Sequence, residues 1–410
     1  MTTTMTIPNG AAPGDVLELA VGEAAHGGWC VARGGAPGDR GQVVFVRHAL
    51  PGERVRARVT SRTTRFARAE AVEILQASPD RVDPPCPYAR ADGCGGCDLQ
   101  HARPAAQRAI KAQVIRQQLR RIAGIERAVT VEALPGDPAG LGWRTKAGFA
   151  VGPDGAVGLR RHRSREIVAI TDCLIAHPLV RAADVTGRRW PGARGVEVAV
   201  SPGSGERSVA VSGKARPGGA HPRPWLTQHA AGRTWRVSAG VFWQVHPAAA
   251  SVLTEVVLAA LRPQPGDAAL DLYCGAGLFT GALAGAVGPA GLVTGVESNA
   301  AAARDARRNL ASFPQVRVHR GDAVPVLRRR GLGRASLAVL DPPRAGVDRR
   351  VIQMLAAGLR RIAYVSCDPA TLARDLGVFA GLGWRLDDLR AFDAFPMTHH
   401  VECVATLVPS

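Results

Sequence analysis

The sequence predicts an α/β fold of the Rossmann-like type in its C-terminal part, preceded by an N-terminal OB-like β-barrel and a central α+β domain. The chain has 410 residues, which is too many for one ordinary hydrophobic core. Short strands punctuated by glycine fill residues 14 to 76, whereas from about residue 247 apolar strands alternate with helical segments. Strands that are apolar throughout indicate a parallel sheet covered by helices on both faces. We place the three domains at residues 1–77, 78–240 and 241–410.

The N-terminal part has the pattern of a small barrel with basic edges. Val43 to Val46 form an apolar strand, the run ALPGE supplies a turn, and charged residues alternate with small or apolar ones from Glu53 to Val59. The run VVFVRHALPGERV resembles the TRAM module, an OB-like barrel. The resemblance implies RNA binding, because barrels of this kind offer a charged groove to oligonucleotides.

The central part begins with the proline-rich linker SPDRVDPPCPY. One helix is predicted from Pro104 to Ala123, with an apolar face that can pack on the C-terminal domain. Strands are predicted within residues 142–151, 157–170 and 196–200. The stretch from Ser201 to Pro224 is rich in glycine, proline and serine, which predicts a loop.

The charge of the chain predicts a polyanionic partner. Arginine and lysine number 52 against 34 acidic residues, a formal net charge of +18, and nucleic acid is the simplest partner for such a charge. A run of about 18 apolar residues, the length that spans a membrane, is absent from the sequence. The N-terminal residues do not have the pattern of a signal peptide. We therefore expect a cytoplasmic protein that binds RNA, without a membrane and without an obligate protein partner.

The cysteines suggest a metal centre in the central part. Of eight cysteines, Cys86, Cys94 and Cys97 form a C-x7-C-x2-C pattern, and Cys173 can supply a fourth thiolate. Without a secretory signal, a disulfide framework is not expected. Four thiolates suit either a zinc ion or a 4Fe–4S cluster, and the spacing does not choose between them. Three further cysteines are interpreted as structural, namely Cys30, Cys274 and Cys403.

A glycine turn in LDLYCGAGLFT predicts a nucleotide-type cofactor site. Gly275 and Gly277 come just after a strand, where the backbone can approach a nucleotide closely. Glu297 ends the next apolar strand, where its carboxylate can accept hydrogen bonds from ribose hydroxyls. A dinucleotide site has the same outline, but the chain has no GxGxxG here, and DLYCGAG resembles motif I of S-adenosylmethionine methyltransferases. With that cofactor, Asp322 would lie near the adenine, although a solvated loop aspartate is the competing interpretation.

Two later strands bring a carboxylate and a cysteine to the same edge of the predicted sheet. Asp341 ends a strand in LDPPRAG, and Cys367 ends the following strand in YVSCDPATLARDL. Arg344 stands where enzymes that methylate exocyclic amines have an aromatic residue, which argues against that reaction. Glu402 lies on a late strand near the same edge. A thiol, a carboxylate and a methyl donor are what methylation of a pyrimidine C5 requires, because a thiolate must first add to C6 and a base must later remove the C5 proton.

The motifs DLYCGAGLFT, LDPPRAG, YVSCDPATLARDL and FPMTHHVE together resemble the RNA uracil-5-methyltransferase family, in its TRAM-bearing iron–sulfur branch. The resemblance implies a C-terminal class I methyltransferase domain with Cys367 as nucleophile and Glu402 as general base. It implies cofactor contacts to S-adenosylmethionine from four residues, namely Gln244, Tyr273, Glu297 and Asp341. It also favours a 4Fe–4S cluster over zinc at the four clustered cysteines. The family usually has asparagine after the nucleophile, where this chain has Asp368, and Leu278 stands where some relatives have a polar cofactor contact.

The same resemblance implies a uridine in 23S ribosomal RNA as the target, because the transfer-RNA enzymes of the family generally lack the barrel and the cysteine cluster. Two alternatives stay open at this point. One is a transfer-RNA uridine methyltransferase that has kept those domains, and the other is a non-catalytic RNA-binding protein with a decayed methyltransferase fold. The presence of Cys367, Glu402 and Asp341 argues against decay.

Overall fold

The structure is a computed structural model that describes residues 12–33, 43–136, 138–213 and 222–410. Residues 1–11, which carry most of the stretch on which the prediction of no signal peptide rests, lie outside this part. Within the described ranges, no helix is both long enough and apolar enough to cross a membrane.

Five strands close into a barrel at the N-terminal end, in the order β1-β2-β3-β5-β4. They are β1 (Val16–Ala25), β2 (Trp29–Arg33), β3 (Val43–Arg47), β4 (Arg54–Arg62) and β5 (Phe66–Gln76). Along β4, the arginines point outward while Val55, Ala57 and Val59 are buried in the barrel core. The alternation of charged and apolar residues therefore gives the half-buried strand that the sequence predicts.

A helix and a short strand from the central segment pack on the C-terminal domain. Helix α1 (Pro104–Gln118) begins with a proline, which suits the first helical position because its missing amide would have no partner there. The chain continues as a π-helical turn, Leu119–Ala123, and then as strand β6 (Val131–Ala133). Ile115 of α1 belongs to the same hydrophobic core as residues of the C-terminal sheet.

The central domain is an antiparallel sheet of five strands in the order β11-β10-β7-β8-β9. Its elements are β7 (Lys146–Val151), β8 (Val157–Arg160), β9 (Ile167–Ala169), α2 (Pro178–Arg181), β10 (Ala193–Val200) and β11 (Arg207–Gly213). A hairpin follows, formed by β12 (Trp225–Ala230) and β13 (Arg233–Ser238).

The loop predicted from Ser201 to Pro224 is wrong in part, because β11 lies inside it. This strand pairs with β10, and Val209 is opposite Val198 in the register. Cross-strand hydrogen bonds and the burial of Val209 outweigh a local composition dominated by glycine, serine and proline. Residues 214–221 of that stretch lie outside the described part of the chain.

The C-terminal domain alternates helices and strands, as the apolar pattern predicts. Its elements are α3 (Ala249–Leu261), β14 (Ala268–Leu272), α4 (Leu278–Val287), β15 (Leu292–Glu297), α5 (Ala300–Asn309), β16 (Val316–Arg320), α6 (Ala323–Arg330), β17 (Leu337–Leu340), α7 (Arg349–Leu355), β18 (Arg361–Ser366), α8 (Pro369–Ala380), β19 (Trp384–Asp393) and β20 (Glu402–Pro409).

These strands form an eight-stranded sheet in the order β16-β15-β14-β17-β18-β20-β19-β6. The strands from β16 to β18 are parallel, whereas β20 runs antiparallel to both β18 and β19. One core, built with α1, α6, α7 and α8, covers one face, and a second core, built with α3, α4 and α5, covers the other. The carboxyl ends of β14, β15, β17 and β18 therefore open onto one edge, where ligands bind in open α/β sheets.

Candidate active site

The turn after β14 contains three residues with positive φ, a conformation that few residues other than glycine adopt easily. Tyr273 has φ 69°, Gly275 has φ 54° and Gly277 has φ 96°. A Cβ atom at Gly277 would lie 2.8 Å from Leu310 Cδ1, so this glycine is required both by its conformation and by packing. Glu297 at the end of β15 fixes the turn, because its Oε2 atom accepts a hydrogen bond of 2.9 Å from the Gly275 amide.

A cavity of about 480 Å³ lies beside this turn, at the carboxyl ends of β14, β15 and β16. Tyr273 and Asp322 line it, and two residues that flank Glu297, Val296 and Ser298, form part of its wall. Charged side chains complete the lining, namely Arg328, Asp348 and Arg350. Among the residues predicted to contact the cofactor, Tyr273 and Asp322 line this cavity. Glu297 and Gly275 are not in the lining but adjoin it, Glu297 between Val296 and Ser298 and Gly275 through its hydrogen bond to Glu297.

The other predicted cofactor residues lie outside the lining of this cavity. Gln244 is buried, Gly277 is the N-cap of helix α4, and Asp341 follows β17 on the side of the predicted nucleophile. Burial and the nearby charge of Asp271 raise the pKa of Asp341 to about 7. Asp271 itself is fully buried on β14, and burial raises its pKa to about 7 as well, although it accepts a hydrogen bond from Thr280.

The predicted reactive groups meet at the ends of three adjacent strands. Asp341 follows β17, Cys367 follows β18, and Glu402 begins β20, whose Cys403 is paired with Ser366 of β18. Burial and then the charge of Glu402 raise the pKa of the half-buried Cys367 thiol to about 11, and Asp341 contributes in the same direction. The three groups are therefore close enough to influence one another electrostatically.

Glu402 is a deeply buried carboxyl. Its side chain is 4% exposed, and burial together with the charge of Asp341 raises its pKa well above the usual value. A carboxyl in this environment binds a proton more tightly than an exposed one. That property suits a group that must remove a proton from carbon.

Arg344 is a residue of the site that the sequence did not assign. Its guanidinium lies beside Cys367 and lowers the pKa of the thiol, opposing the two carboxylates. Its Nη2 atom donates a hydrogen bond of 3.1 Å to His400 Nε2, and burial lowers the pKa of His400 to about 3, so the neutral imidazole accepts. The signal was present in the sequence, because an arginine directly after a strand-end Asp-Pro-Pro run is carried to the same edge as the cysteine.

The loop that carries Arg344 is fastened to helix α8, which follows the cysteine. Asp375 of α8 accepts hydrogen bonds from the Val347 amide at 2.9 Å and from the Tyr364 hydroxyl at 2.6 Å. Gly346 has φ 81°, and a Cβ atom there would lie 2.5 Å from Asp375 Oδ2. Two motifs that the sequence treats separately, LDPPRAG and YVSCDPATLARDL, are thus one packed unit around the thiol.

Asp368, the unusual residue after the cysteine, has two partners. Its Oδ1 atom accepts a hydrogen bond of 2.8 Å from the Thr371 amide and so caps the N-terminus of α8. Its Oδ2 atom lies 3.3 Å from Nε2 of His26, a residue of the N-terminal barrel. Burial opposes ionisation, but the hydrogen bonds from His26 and Thr371 hold the pKa of Asp368 below its usual value.

The four clustered cysteines, Cys86, Cys94, Cys97 and Cys173, line one common pocket in the central domain. Burial raises the pKa of Cys94, and the charges of Cys173 and Cys86 act in the same direction, as expected for neighbouring thiols. Within the described residues, however, no group of three or more His, Cys, Asp or Glu side chains is arranged to hold a metal ion. The structure thus gathers these residues without assembling a metal site.

Two family models match the chain. The model described as tRNA (Uracil-5-)-methyltransferase matches residues 334–409, which contain Asp341, Cys367 and Glu402. The model of the TRAM domain matches residues 11–72, which contain the five strands of the barrel up to Val72. The N-terminal barrel is therefore a TRAM domain, the RNA-binding module that the sequence predicts.

Similar proteins cover almost the whole chain. An uncharacterized RNA methyltransferase of Streptomyces avermitilis is 49% identical over 97% of this chain and 99% of its own length. A 23S rRNA (uracil(1939)-C(5))-methyltransferase of Acidithiobacillus ferrooxidans is 35% identical over 89% of this chain and 92% of its own. The structure of a Pyrococcus abyssi tRNA (uracil-54, C5)-methyltransferase in complex with S-adenosyl-L-homocysteine has the same fold, with a TM-score of 0.71, 22% identity and coverage of 96% of this chain and 100% of that one.

The sheet, the cavity beside its glycine turn and the attached TRAM barrel define a class I methyltransferase that uses S-adenosylmethionine and acts on RNA. Within that class, the family follows from the sequence identity to these relatives over most of the chain. The chain belongs to the RNA uracil-5-methyltransferase family.

Proposed function

We propose that this enzyme methylates C5 of a specific uridine in structured 23S ribosomal RNA, through a covalent bond between Cys367 and C6 of the base. The observation that carries the proposal is the meeting of Cys367, Asp341 and Glu402 at the ends of adjacent strands, in the same sheet as the glycine turn after β14. C5 of uracil is too weak a nucleophile to attack a sulfonium methyl group directly. A site that pairs a thiol with a buried base supplies what this carbon lacks.

The site residues fit a positively charged methyl donor. S-adenosylmethionine supplies the methyl group from a sulfonium centre when it is bound. Asp341 and Glu402 are buried carboxyls with raised pKa values, and neither has a basic partner among the described residues. A cation placed near them lowers both pKa values and favours the ionised forms. Tyr273 and Asp322 line the cavity that would hold the adenosine part of the donor, and Glu297 adjoins it.

Cys367 begins the reaction in this proposal. The thiol loses its proton to solvent, with the thiolate stabilised by Arg344, and Sγ forms a bond to C6 of the uracil as the C5–C6 double bond opens. The electron pair released toward C5 makes that carbon able to accept the methyl group. The target base must leave its stack in the RNA to reach a half-buried thiol, as in other enzymes that act on bases.

Glu402 completes the reaction. Once C5 carries the methyl group, it also still carries its original hydrogen. Glu402 takes this proton, the C5–C6 double bond re-forms, and the bond between C6 and Sγ breaks. The products are the 5-methyluridine in RNA, the demethylated donor and the Cys367 thiolate, and the proton passes from Glu402 to solvent.

Methylation at C5 can be tested directly on RNA from a strain that lacks this gene. The protein is incubated with that RNA and with S-adenosylmethionine carrying a labelled methyl group, and the labelled nucleoside is identified by mass spectrometry. The proposal predicts 5-methyluridine. Label at a nitrogen, on ribose or on cytidine would contradict it.

The same experiment decides between 23S ribosomal RNA and transfer RNA when the two are separated before digestion. The relative from Acidithiobacillus ferrooxidans, a 23S rRNA enzyme by name, supports ribosomal RNA at 35% identity over most of both chains. The match of residues 334–409 to the tRNA (Uracil-5-)-methyltransferase model supports transfer RNA as the second candidate. Label in 23S RNA, at one uridine, is the expected result, and label in transfer RNA alone would favour the second candidate.

We further propose that Cys86, Cys94, Cys97 and Cys173 hold a 4Fe–4S cluster in the central domain, with zinc as the alternative. Support comes from their common pocket and from the mutual effect of the thiols on their pKa values. No step of the reaction above depends on such a group. Protein purified without oxygen should be coloured, with a broad visible absorption, and should contain bound iron and sulfide. A colourless protein with zinc would establish the alternative, and a metal-free protein would exclude both.

The three-part division of the chain also stays a proposal, with boundaries at residues 77 and 240. The barrel then serves RNA binding, and residues 241–410 carry the chemistry. Helix α1 and strand β6 of the middle segment extend the catalytic domain, because β6 pairs with β19 at the edge of the large sheet.

A further inference from the structure

The turn between β1 and β2 of the barrel is pressed against the rest of the molecule. It consists of His26, Gly27 and Gly28, and the two glycines have φ values of 89° and 77°. A Cβ atom at Gly28 would lie 2.7 Å from Cβ of Asp98, the residue after the last cysteine of the C-x7-C-x2-C pattern. Only a glycine allows so close an approach, so the sequence HGG places His26 at a fixed position.

From this position, His26 reaches the loop that carries the nucleophile. Its Nε2 atom lies 3.3 Å from Oδ2 of Asp368, and the side chains are 36% and 23% exposed, respectively. Asp368 directly follows Cys367 and uses its other carboxylate oxygen to cap helix α8 through Thr371. The carboxylate thus joins the barrel to the first turn of the helix that begins at the nucleophile.

A second contact joins the barrel to the other side of the site. Arg47 of β3 is 2% exposed and donates from Nη2 to Asp98 Oδ1 at 3.0 Å, while Asp98 Oδ2 lies 2.6 Å from Nδ1 of His399. His399 is followed by His400, which accepts the hydrogen bond from Arg344 beside the thiol. The barrel therefore contacts the segment after Cys367 directly, through His26, and reaches the His399–His400 segment through Asp98.

We propose that His26 is a positioning residue of the methyltransferase site, which fixes Asp368 and shields Cys367 from the charge of that carboxylate. The inference rests on the proposed function in one respect, the role of Cys367 as nucleophile. It assigns to the TRAM barrel a part in building the active site, in addition to binding RNA.

The physical reason is the sequence position of Asp368. A carboxylate next to a thiol disfavours the thiolate, and burial strengthens this effect. An N–H group of His26 that donates to Oδ2 compensates the charge, and it also holds the backbone on the C-terminal side of Cys367. Replacement of Asp368 by asparagine removes the charge while keeping a good helix cap, so the requirement for His26 should disappear with it.

The first test measures thiol reactivity and needs no RNA. Wild type, His26→Ala, Asp368→Asn and the double variant are treated with iodoacetamide at pH 8, and alkylation of Cys367 is followed by peptide mass spectrometry. His26→Ala should slow alkylation about threefold, because the unpaired carboxylate disfavours the thiolate. In the Asp368→Asn background, the same replacement should have no effect. Equal alkylation rates in wild type and His26→Ala, or the same slowing in both backgrounds, would overturn the proposal.

The second test separates positioning from RNA binding and from simple loss of folding. With labelled methyl donor, His26→Ala should lower kcat about fivefold and leave KM for RNA within about twofold, the size expected for one partly exposed charged contact. His26→Gln keeps an N–H donor near the position of Nε2 and should restore most of the rate. A loss confined to KM would make His26 an RNA contact instead, and an unrestored rate in a His26→Gln protein with the wild-type melting temperature would also contradict the proposal.

The two tests distinguish a failure of the proposed reaction from a failure of the proposed role of His26. If the wild type does not methylate uridine, the proposed reaction is wrong, while the alkylation rates still decide whether His26 controls Cys367. If methylation proceeds but neither rate depends on His26, the reaction stands and the positioning role is wrong.

Discussion

At the scale of single residues, the ionisation of Cys367 is set by opposing neighbours. Burial, Glu402 and Asp341 raise the pKa of the thiol to about 11, and Arg344 acts against them. Below that pKa the thiolate fraction, and with it the rate of attack, grows about tenfold for each unit of pH. The arginine is thus the neighbour that favours the thiolate, against burial and two carboxylates.

Replacement of Arg344 by glutamine should raise the pKa of Cys367 further, since it removes the positive charge beside the thiol. We expect the rate of Cys367 alkylation between pH 7 and 9 to fall by about tenfold, with its rise toward high pH shifted upward by about one unit. The measurement is the pH profile of alkylation by peptide mass spectrometry. Arg385→Gln, an exposed arginine on β19, serves as the control and should leave the profile unchanged. A downward shift in the Arg344 variant would contradict this assignment.

Replacement of Glu402 by glutamine should stop the reaction after methyl transfer. The C5 proton then has no base, so the bond between Cys367 and C6 cannot break. We expect turnover to fall by at least about 100-fold, while a covalent protein–RNA complex accumulates on ordinary uridine RNA. Gel electrophoresis under denaturing conditions detects this complex, and Glu132→Gln, an exposed carboxylate on β6, should behave like wild type. Free RNA that carries 5-methyluridine in normal yield would show that Glu402 is not the base.

The residues of the site differ in how far the sequence could predict them. Asp341 and Cys367 were predictable together, because each ends an apolar strand and parallel strands end at one edge. Arg344 follows from the same reasoning, because it lies on the loop directly after Asp341. The sequence itself indicates only that this motif differs from that of enzymes that methylate exocyclic amines. His26 has no local signal at all, since its role depends on a contact with a residue in a different domain.

At the scale of elements, helix α8 and the loop before α7 behave as one unit around the thiol. Gly346 fits because it adopts φ 81° and lies against Thr371, Arg374 and Asp375. Any side chain at this position must push the loop away from α8. The packing of this loop on α8 therefore requires glycine at position 346, a requirement that becomes visible only in the folded structure.

Gly346→Ala should destabilise the protein more than strain alone can account for. A positive φ costs an alanine about 1 kcal/mol, and the forced displacement of α8 adds about 2 kcal/mol more. Gly383→Ala is the matched control, because Gly383 has φ 80° but a Cβ atom there would meet nothing within 4 Å. Denaturant unfolding, carried out without cofactor, measures the free energy of unfolding of both variants. Equal losses in the two variants would show that the loop and α8 are not packed as described.

Elements were predictable where the apolar pattern is strong. Strand β14 is buried along its full length and is an apolar run, so its place in a parallel sheet covered on both faces was predictable, but its central position was not. Strand β11 was not, because glycine and serine surround two valines and the partner strand β10 supplies the stabilisation. The three residues of β6 are too few for any periodic signal, and they form a strand only because β19 presents a free edge.

At the scale of the whole molecule, positive charge gathers at the seam between barrel and central domain. The side chain of Arg163 is largely exposed. Its partial burial, together with the nearby charges of Arg68 and Arg47, lowers its pKa. The guanidinium groups of all three lie 5.9 Å from the ring of Trp29. The charge of Arg47 is balanced by Glu70 and Asp98, whereas Arg68 and Arg163 form no ion pair within the described part of the chain. Phosphates of RNA can neutralise these two arginines.

Arg163→Gln should therefore weaken RNA binding in a salt-dependent way. The slope of log K against log of the salt concentration should decrease by about one, the change expected from loss of one phosphate contact. Filter binding of the target RNA between low and physiological salt measures it. Arg385→Gln removes an exposed arginine elsewhere and should leave the slope unchanged. An unaltered slope in Arg163→Gln would exclude this seam from the RNA interface.

The order of the three parts was predictable from composition and pattern, but their contacts were not. A charge of +18 and a TRAM-like run predict an RNA-binding barrel, yet they give no information on where the barrel lies. The contacts of His26 with Asp368 and of Arg47 with Asp98 join segments far apart in the chain. Such pairs leave no periodicity in the sequence and become visible only in the folded structure.

The central claim is that Cys367 attacks C6 of a uridine, and one measurement tests it most directly. In RNA that contains 5-fluorouridine, the methylated adduct cannot be released, because fluorine cannot leave C5 as a proton does. With S-adenosylmethionine present, the wild-type protein should form an adduct that survives denaturation, and peptide mass spectrometry should place the modified nucleotide on Cys367. Cys367→Ala should form none. The absence of an adduct with wild type, or its attachment to a different residue, would contradict the account.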